Sequence, residues 1–197
     1  HKKKRLRIRN KSTDGKIIKD GINIGIIGRP NVGKSSLLNA LLEEQKAIVT
    51  DIEGTTRDIV EGRFILNGIV CNIIDTAGIR KTDNLVEQIG VAKSYEIIDS
   101  SDLVIYLLNN NEPLTKEDQD LLDKIKSKKH IIVINKIDLS TNLVINDSSV
   151  IKMSLKNNIG LDELKQSIIK LFNLEEITTN PNFFKEYLTE VCLQMVI

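Results

Sequence analysis

The chain has 197 residues, of which 41% are hydrophobic and 28% charged, and a formal net charge of +1; these values exclude collagen-like, coiled-coil and wholly disordered architectures. A chain of this size buries roughly 70% of the surface its unfolded form exposes, so it needs no disulfide or metal staple, and Cys71 and Cys192 lack any metal-ligand or Cys-x-x-Cys spacing. No apolar run approaches the roughly 18 residues of a membrane span, and with no targeting segment the expectation is a soluble, cytoplasmic protein with no membrane partner.

Residues 1–20 carry nine Lys/Arg against two Asp/Glu, a charge of +7 that leaves −6 for the remainder. Such a stretch can touch nucleic acid or acidic lipid, but a solvated run of charge accounts for it without either. The chain starts with His1, and Lys2 to Arg9 has neither the apolar h-region of a signal peptide nor the character of a transit peptide. It reads as an excised fragment.

In chain order, the β-rich run Ile22–Ile27 predicts a strand, and Lys34–Leu42, with Leu37, Leu38 and Leu41 at helical spacing, predicts a helix. Asp58–Leu66 and Ile69–Ile74 form a hairpin pair joined by Asn67-Gly68, a strong two-residue turn signal. The pattern then alternates: helix Val86–Ile98, strand Leu103–Leu108, helix Lys116–Ile125, strand Ile131–Ile134, strand Val150–Met153, helix Leu161–Phe172. This order predicts an α/β fold with a mostly parallel sheet, one antiparallel strand and helices on both faces. Asn180-Pro181-Asn182 breaks the pattern, and the apolar-periodic Phe183–Ile197 predicts one more helix outside the sheet.

Ligands in such sheets bind at the carboxyl ends of the strands, and the motifs fall there. Gly28-Arg29-Pro30-Asn31-Val32-Gly33-Lys34-Ser35, followed by Ser36, matches G-x-x-x-x-G-K-[ST] directly after a strand and at the opening of a helix. The glycines let backbone N–H groups wrap phosphates, Lys34 reaches the β/γ oxygens, and the Ser35 hydroxyl can ligate Mg²⁺. Asn135-Lys136-Ile137-Asp138 fits N-K-x-D at another strand end. Asp138 can accept from both the ring N–H and the exocyclic amine of guanine, whereas adenine would leave the carboxylate unpaired. Asp75-Thr76-Ala77-Gly78 closes the strand before it; Asp75 can hold Mg²⁺ through water, and the Gly78 N–H can sense a γ-phosphate. Thr55-Thr56 is a candidate switch pair, Thr56 for Mg²⁺, and Ser154-Leu155-Lys156 a candidate backbone contact to guanine.

Together with Val86-Glu87-Gln88-Ile89-Gly90 and the run Ala47-Ile48-Val49-Thr50-Asp51-Ile52 leading into Gly54-Thr55-Thr56-Arg57-Asp58, these motifs resemble the tRNA-modification GTPases of the MnmE (TrmE) family from about Gly15 to Phe172. The second GTPase domain of the ribosome-assembly factor Der is similar over the first 80 or so of those residues. The resemblance implies a Ras-like P-loop GTPase domain over 21–173, with 1–20 as a basic stub of a flanking helical domain and 174–197 as a helical extension or stub. Ile79 stands where Ras-like enzymes place a water-orienting glutamine. The family implies instead that Glu87 positions the water, with Lys34 and Thr56 completing the catalytic set. It also implies a K⁺ ion held by the Asn31 side chain and oxygens of Thr50, Ile52 and Thr55, in the electrostatic role of an arginine finger. GTP/GDP and Mg²⁺ are the other expected cofactors, and the expected partners are a second copy through the GTPase domain, an FAD protein of the MnmG type, and tRNA. Alternatives remain a Der-like assembly GTPase, or a GTP/GDP switch with little turnover of its own; a P-loop kinase or ATPase is disfavoured by Asn135 and Asp138. Leu155 stands where the family usually has Ala, and the segment Pro181–Ile197 does not look like the family's return into its helical domain. Nor does Cys192 stand in for the family's C-terminal Cys.

Overall fold

Short β-branched runs separated by amphipathic helices produce a six-stranded sheet in the order β2-β3-β1-β4-β5-β6. The computed structural model describes residues 15–43, 60–74, 87–145 and 150–179. The strands are β1 (Ile22–Ile27), β2 (Val60–Leu66), β3 (Ile69–Ile74), β4 (Leu103–Asn109), β5 (His130–Asn135) and β6 (Ile151–Lys152). The helices are α1 (Lys34–Glu43), α2 (Glu87–Ser100), α3 (Lys116–Ile125), α4 (Leu161–Leu171) and α5 (Leu174–Thr179), with a 3₁₀ turn at Leu155–Asn157. Residues 15–20 are also helical. Only β2 runs antiparallel, against β3; every other pairing is parallel.

The β2–β3 pairing follows from its turn. Asn67 and Gly68 adopt φ values of +49° and +79°, the two left-handed positions that match the twist of a two-residue hairpin.

Strand alternation divides the interior into two apolar layers. In β4, Leu103, Ile105 and Leu107 join one cluster with α1 and α4, while Val104, Tyr106 and Leu108 join a second with α2 and α3. β4 is therefore buried on both faces along its whole length, as expected of a central parallel strand. Leu37, Leu38 and Leu41 of α1 are each 2% exposed or less, and burial on that scale contributes about 1.5–3 kcal/mol per side chain.

Several limits differ from the sequence expectation. The strand expected over Val150–Met153 shortens to two residues: Met153 N still donates to Ile134 O, but Ser154 turns back to bridge Ile159. β5 gains a residue at each end, and α4 closes at Leu171, with Phe172 as its cap. The packed chain also reaches slightly past 21 and 173. Ile17 and Leu174 are both buried in the α1/α4-side cluster, and Thr178 Oγ1 accepts from Asn67 Nδ2 of the hairpin turn at 3.2 Å. The helix expected over Phe183–Ile197 lies outside the described residues.

Candidate nucleotide site

The chain runs from β1 to β2 and β3 on one side of the sheet, then crosses to β4 on the other. The strand order thus reverses between β1 and β4, and their carboxyl ends frame the crevice where such sheets bind ligands. Residues 28–33 leave β1 at that crevice and enter α1.

The loop's shape rests on three positive-φ residues: Gly28 (+146°), Asn31 (+62°) and Gly33 (+106°). A Cβ on Gly28 would collide with the Leu107 carbonyl oxygen, and one on Gly33 would collide with the Asn135 amide. At these two positions only glycine lets the backbone pass. Val32 is buried in the α1-side core, which anchors the middle of the loop. Asn31, Ser35 and Ser36 are exposed around it.

Lys34, the first residue of α1, folds back over the loop. Its Nζ donates to Gly28 O and Arg29 O, each at 2.6 Å, which aims the ammonium at the loop's concavity. Burial lowers its pKa to about 8, so phosphate charge at this point would stabilise the protonated form.

The Asn135 side chain ties this loop to the far side of the site. Buried at the end of β5, it donates from Nδ2 to the Val32 carbonyl at 2.8 Å, while its Oδ1 accepts, more weakly, from Leu155 N at 3.4 Å. One amide thus spans the phosphate loop, the N-K-x-D segment and the 154–156 segment. Lys136 follows in a left-handed conformation, φ +62°, and turns the chain so that Asp138 emerges exposed. Ser154, fully buried, donates its hydroxyl to Asp138 Oδ1 at 2.6 Å. That bond above all, with the Lys156 and Lys136 charges in support, holds the Asp138 carboxyl below the usual carboxylate range. It is therefore an anionic acceptor at neutral pH, as recognition of two guanine N–H donors requires.

Asn31, Val32, Gly33, Lys34, Ser35, Ser36, Asn135, Lys136, Asp138, Ser154, Leu155 and Lys156 thus gather at the carboxyl ends of β1, β5 and β6, in the segments that follow those strands and in the first turn of α1. Thr50, Ile52, Thr55, Thr56, Asp75, Thr76, Ala77, Gly78 and Ile79 fall outside the described residues, and Glu87 opens α2. Of the expected cation ligands, Ser35 and Asn31 are described. Both are exposed and bring oxygen donors suited to hard cations; among the described residues no cluster of three His, Cys, Asp or Glu side chains could hold a metal by itself. Nor is any described helix long and apolar enough to cross a membrane.

Two contributions were not anticipated. Ser154, expected to act through its backbone, instead donates its side-chain hydroxyl to Asp138 Oδ1. Arg29, read only as a loop position, pairs with the buried Asp118, and no local sequence signal links residue 29 to residue 118.

A family profile described as 50S ribosome-binding GTPase matches residues 23–136. The chain belongs to this GTPase family. It binds guanine nucleotide and hydrolyses GTP. The GTPase is 51% identical over 170 residues to the tRNA modification GTPase MnmE of Finegoldia magna, an alignment covering 84% of this chain and 38% of that protein. With MnmE of Streptococcus sanguinis it shares 50% over 165 residues, 83% of this chain and 36% of the relative. The chain accordingly spans less than two-fifths of the length of these curated relatives. Among solved structures, the FeoB G-domain of Methanococcus jannaschii superposes with a TM-score of 0.53 at 26% identity, covering 77% of this chain and 98% of that one. Elongation factor SelB of Methanococcus maripaludis, at 22% identity and a TM-score of 0.55 over 77% of this chain and 34% of its own, shares the fold.

Proposed function

We propose that this GTPase is the GTP-hydrolysing segment of a tRNA wobble-uridine modification protein, dependent on Mg²⁺, stimulated by K⁺, and coupling hydrolysis to pairing of two GTPase domains. The observation that carries the guanine-nucleotide site is the Asn135 side chain, which joins the phosphate loop to the base-reading segment. The assignment to tRNA modification rests on the likeness to the MnmE proteins, the family that the motif wording of this chain also resembles.

In this reading the backbone N–H groups of residues 31–36 cradle the phosphates, and Lys34, already aimed by two carbonyls, stabilises charge on the β/γ oxygens. Asp138 and the backbone of 154–156 would select guanine, with Lys136 completing the set of base-contacting residues. Ser35, Thr56 and Asp75 would hold Mg²⁺, and Asn31, Thr50, Ile52 and Thr55 would hold K⁺. The K⁺ would supply the positive charge that an arginine finger brings elsewhere. Thr76, Ala77 and Gly78 would add contacts to the nucleotide after Asp75, and Glu87, at the start of α2, would orient the attacking water that Ile79 cannot. tRNA and an MnmG-type FAD protein would engage the longer protein of which this segment forms part.

Single-turnover GTP hydrolysis in KCl and in NaCl at matched ionic strength tests the proposal, with the dimer population followed by light scattering in GDP–AlF₄⁻. Faster turnover and pairing in K⁺ are expected. Equal rates and no pairing in either salt would refute the K⁺-dependent mechanism while leaving the guanine site in place.

A further inference from the structure

A buried charge network lies directly beneath the phosphate loop. Tyr106 on β4 pairs in register with Ile27, the last residue of β1 before Gly28, and both Tyr106 and Asp118 are fully buried. Tyr106 Oη donates to Asp118 Oδ1 at 2.7 Å. Asp118 Oδ2 accepts from Thr115 N and Thr115 Oγ1, each at 2.8 Å, and faces Arg29 Nε at 3.3 Å. The guanidinium continues to Glu112 Oε2 at 3.1 Å and donates to Pro113 O at 3.3 Å, and Glu112 is itself held by Asn109 Nδ2 at 2.6 Å.

A carboxylate taken fully out of water needs this much compensation, and an apolar residue at 118 would have avoided the need. A capping role alone does not explain the arrangement, because an exposed Asp at the third position of α3 would cap equally well. What burial adds is a fixed anion under Arg29. The Arg29 Nε lies within ion-pair distance of Asp118 yet has no aligned hydrogen bond, so the pair is an electrostatic tether. Arg29 is also one of the two residues whose carbonyls hold the Lys34 ammonium. Its side chain is therefore pinned from below while its main chain aims the phosphate-binding lysine above.

We propose that Asp118, supported by Tyr106 and Thr115, is a positioning residue of the phosphate site, acting through Arg29 on the carbonyls that hold Lys34. The inference rests on the reading of residues 28–36 as the phosphate loop. It makes the 109–118 segment, remote from both nucleotide motifs in sequence, part of the machinery that places Lys34 against the second phosphate.

The test compares GDP with GMP, which lacks the phosphate that Lys34 would reach. Dissociation constants for both are measured on the 197-residue chain and on Asp118→Asn and Tyr106→Phe, alongside thermal unfolding. A positioning role lowers the GMP-to-GDP ratio of dissociation constants by about tenfold in Asp118→Asn and by about two- to threefold in Tyr106→Phe, the scale of a lost charged and a lost neutral contact. In an Arg29→Ala background, Asp118→Asn should lower the ratio no further. A purely structural role would lower the unfolding temperature but move both nucleotides together, and an unchanged ratio in the variants overturns the proposal. Should Asp118→Asn fail to fold, Tyr106→Phe decides by the same ratio. A wild-type chain that does not favour GDP over GMP would instead refute the phosphate-loop reading itself.

Discussion

Replacing Asn135 by alanine removes the amide that joins the two halves of the nucleotide site. The Val32 carbonyl loses its 2.8 Å partner in a position without solvent to replace it, and an orphaned buried acceptor costs about 1–3 kcal/mol. The 3.4 Å contact from Leu155 N is long and adds at most about 0.5 kcal/mol. A loss of about 2 kcal/mol in global stability is therefore expected. With a urea dependence near 2 kcal/mol per M, the unfolding midpoint should fall by about 1 M. The same deletion loosens the base-reading loop relative to the phosphate loop, so the nucleotide should stabilise the variant less. Wild-type chain in GDP at a hundred times its dissociation constant gains about 2.7 kcal/mol, and a tenfold weaker variant at the same concentration gains about 1.4 kcal/mol. Urea titrations of both chains with and without GDP measure the two effects together. Midpoints within about 0.2 M of each other and an undiminished GDP shift would refute the idea that this amide couples the loops.

Asp138→Asn should shift preference from guanine toward xanthine nucleotides, because the amide NH₂ donates, as xanthine's carbonyl in place of the exocyclic amine requires, where the carboxylate only accepted; competition between GDP and XDP checks it, and unaltered GDP selectivity would contradict the assignment. Lys34 has its folded pKa lowered to about 8, so between that value and the ordinary lysine range the unfolded chain binds more protons than the folded one, and the group makes stability rise with pH there. GDP favours the charged form, so binding near pH 8.5 should take up protons, visible as a buffer-dependent calorimetric enthalpy that vanishes in Lys34→Ala. Glu87→Ala should slow single-turnover hydrolysis about 10²-fold, the usual scale for a group acting on the transferred proton or water, with GDP affinity spared; wild-type turnover would remove Glu87 from the mechanism.

The parts of this fold that were legible in the sequence are those in which the signal is local. The Asn67-Gly68 turn, the leucine stripe of α1 and the Lys116–Ile125 helix each depend on neighbours a few residues apart. The turn from β1 into α1 was legible for the same reason, since its positive-φ positions at Gly28 and Gly33 demand glycine at fixed offsets. What escaped is pairwise and long-range. Ser154 to Asp138, Asn135 to Val32 and Arg29 to Asp118 join residues brought together only by the sheet order, and no periodicity encodes them. The shortened β6 escaped as well, because the apolar run Val150–Met153 suits a strand, while Ser154 is drawn instead into its bridge with Ile159.

β4 is shared by both apolar layers, paired with β1 from Leu103 to Tyr106 and with β5 from Val104 to Asn109, and this sets it apart from the segments at its carboxyl end. Its amides cannot reach water without dismantling both layers at once, so they belong to the slowest-opening unit of the chain. The loops that handle nucleotide hang from the carboxyl rim of that strand and its neighbours. A ligand bound at that rim therefore rests on a floor that stays closed for the lifetime of the folded state.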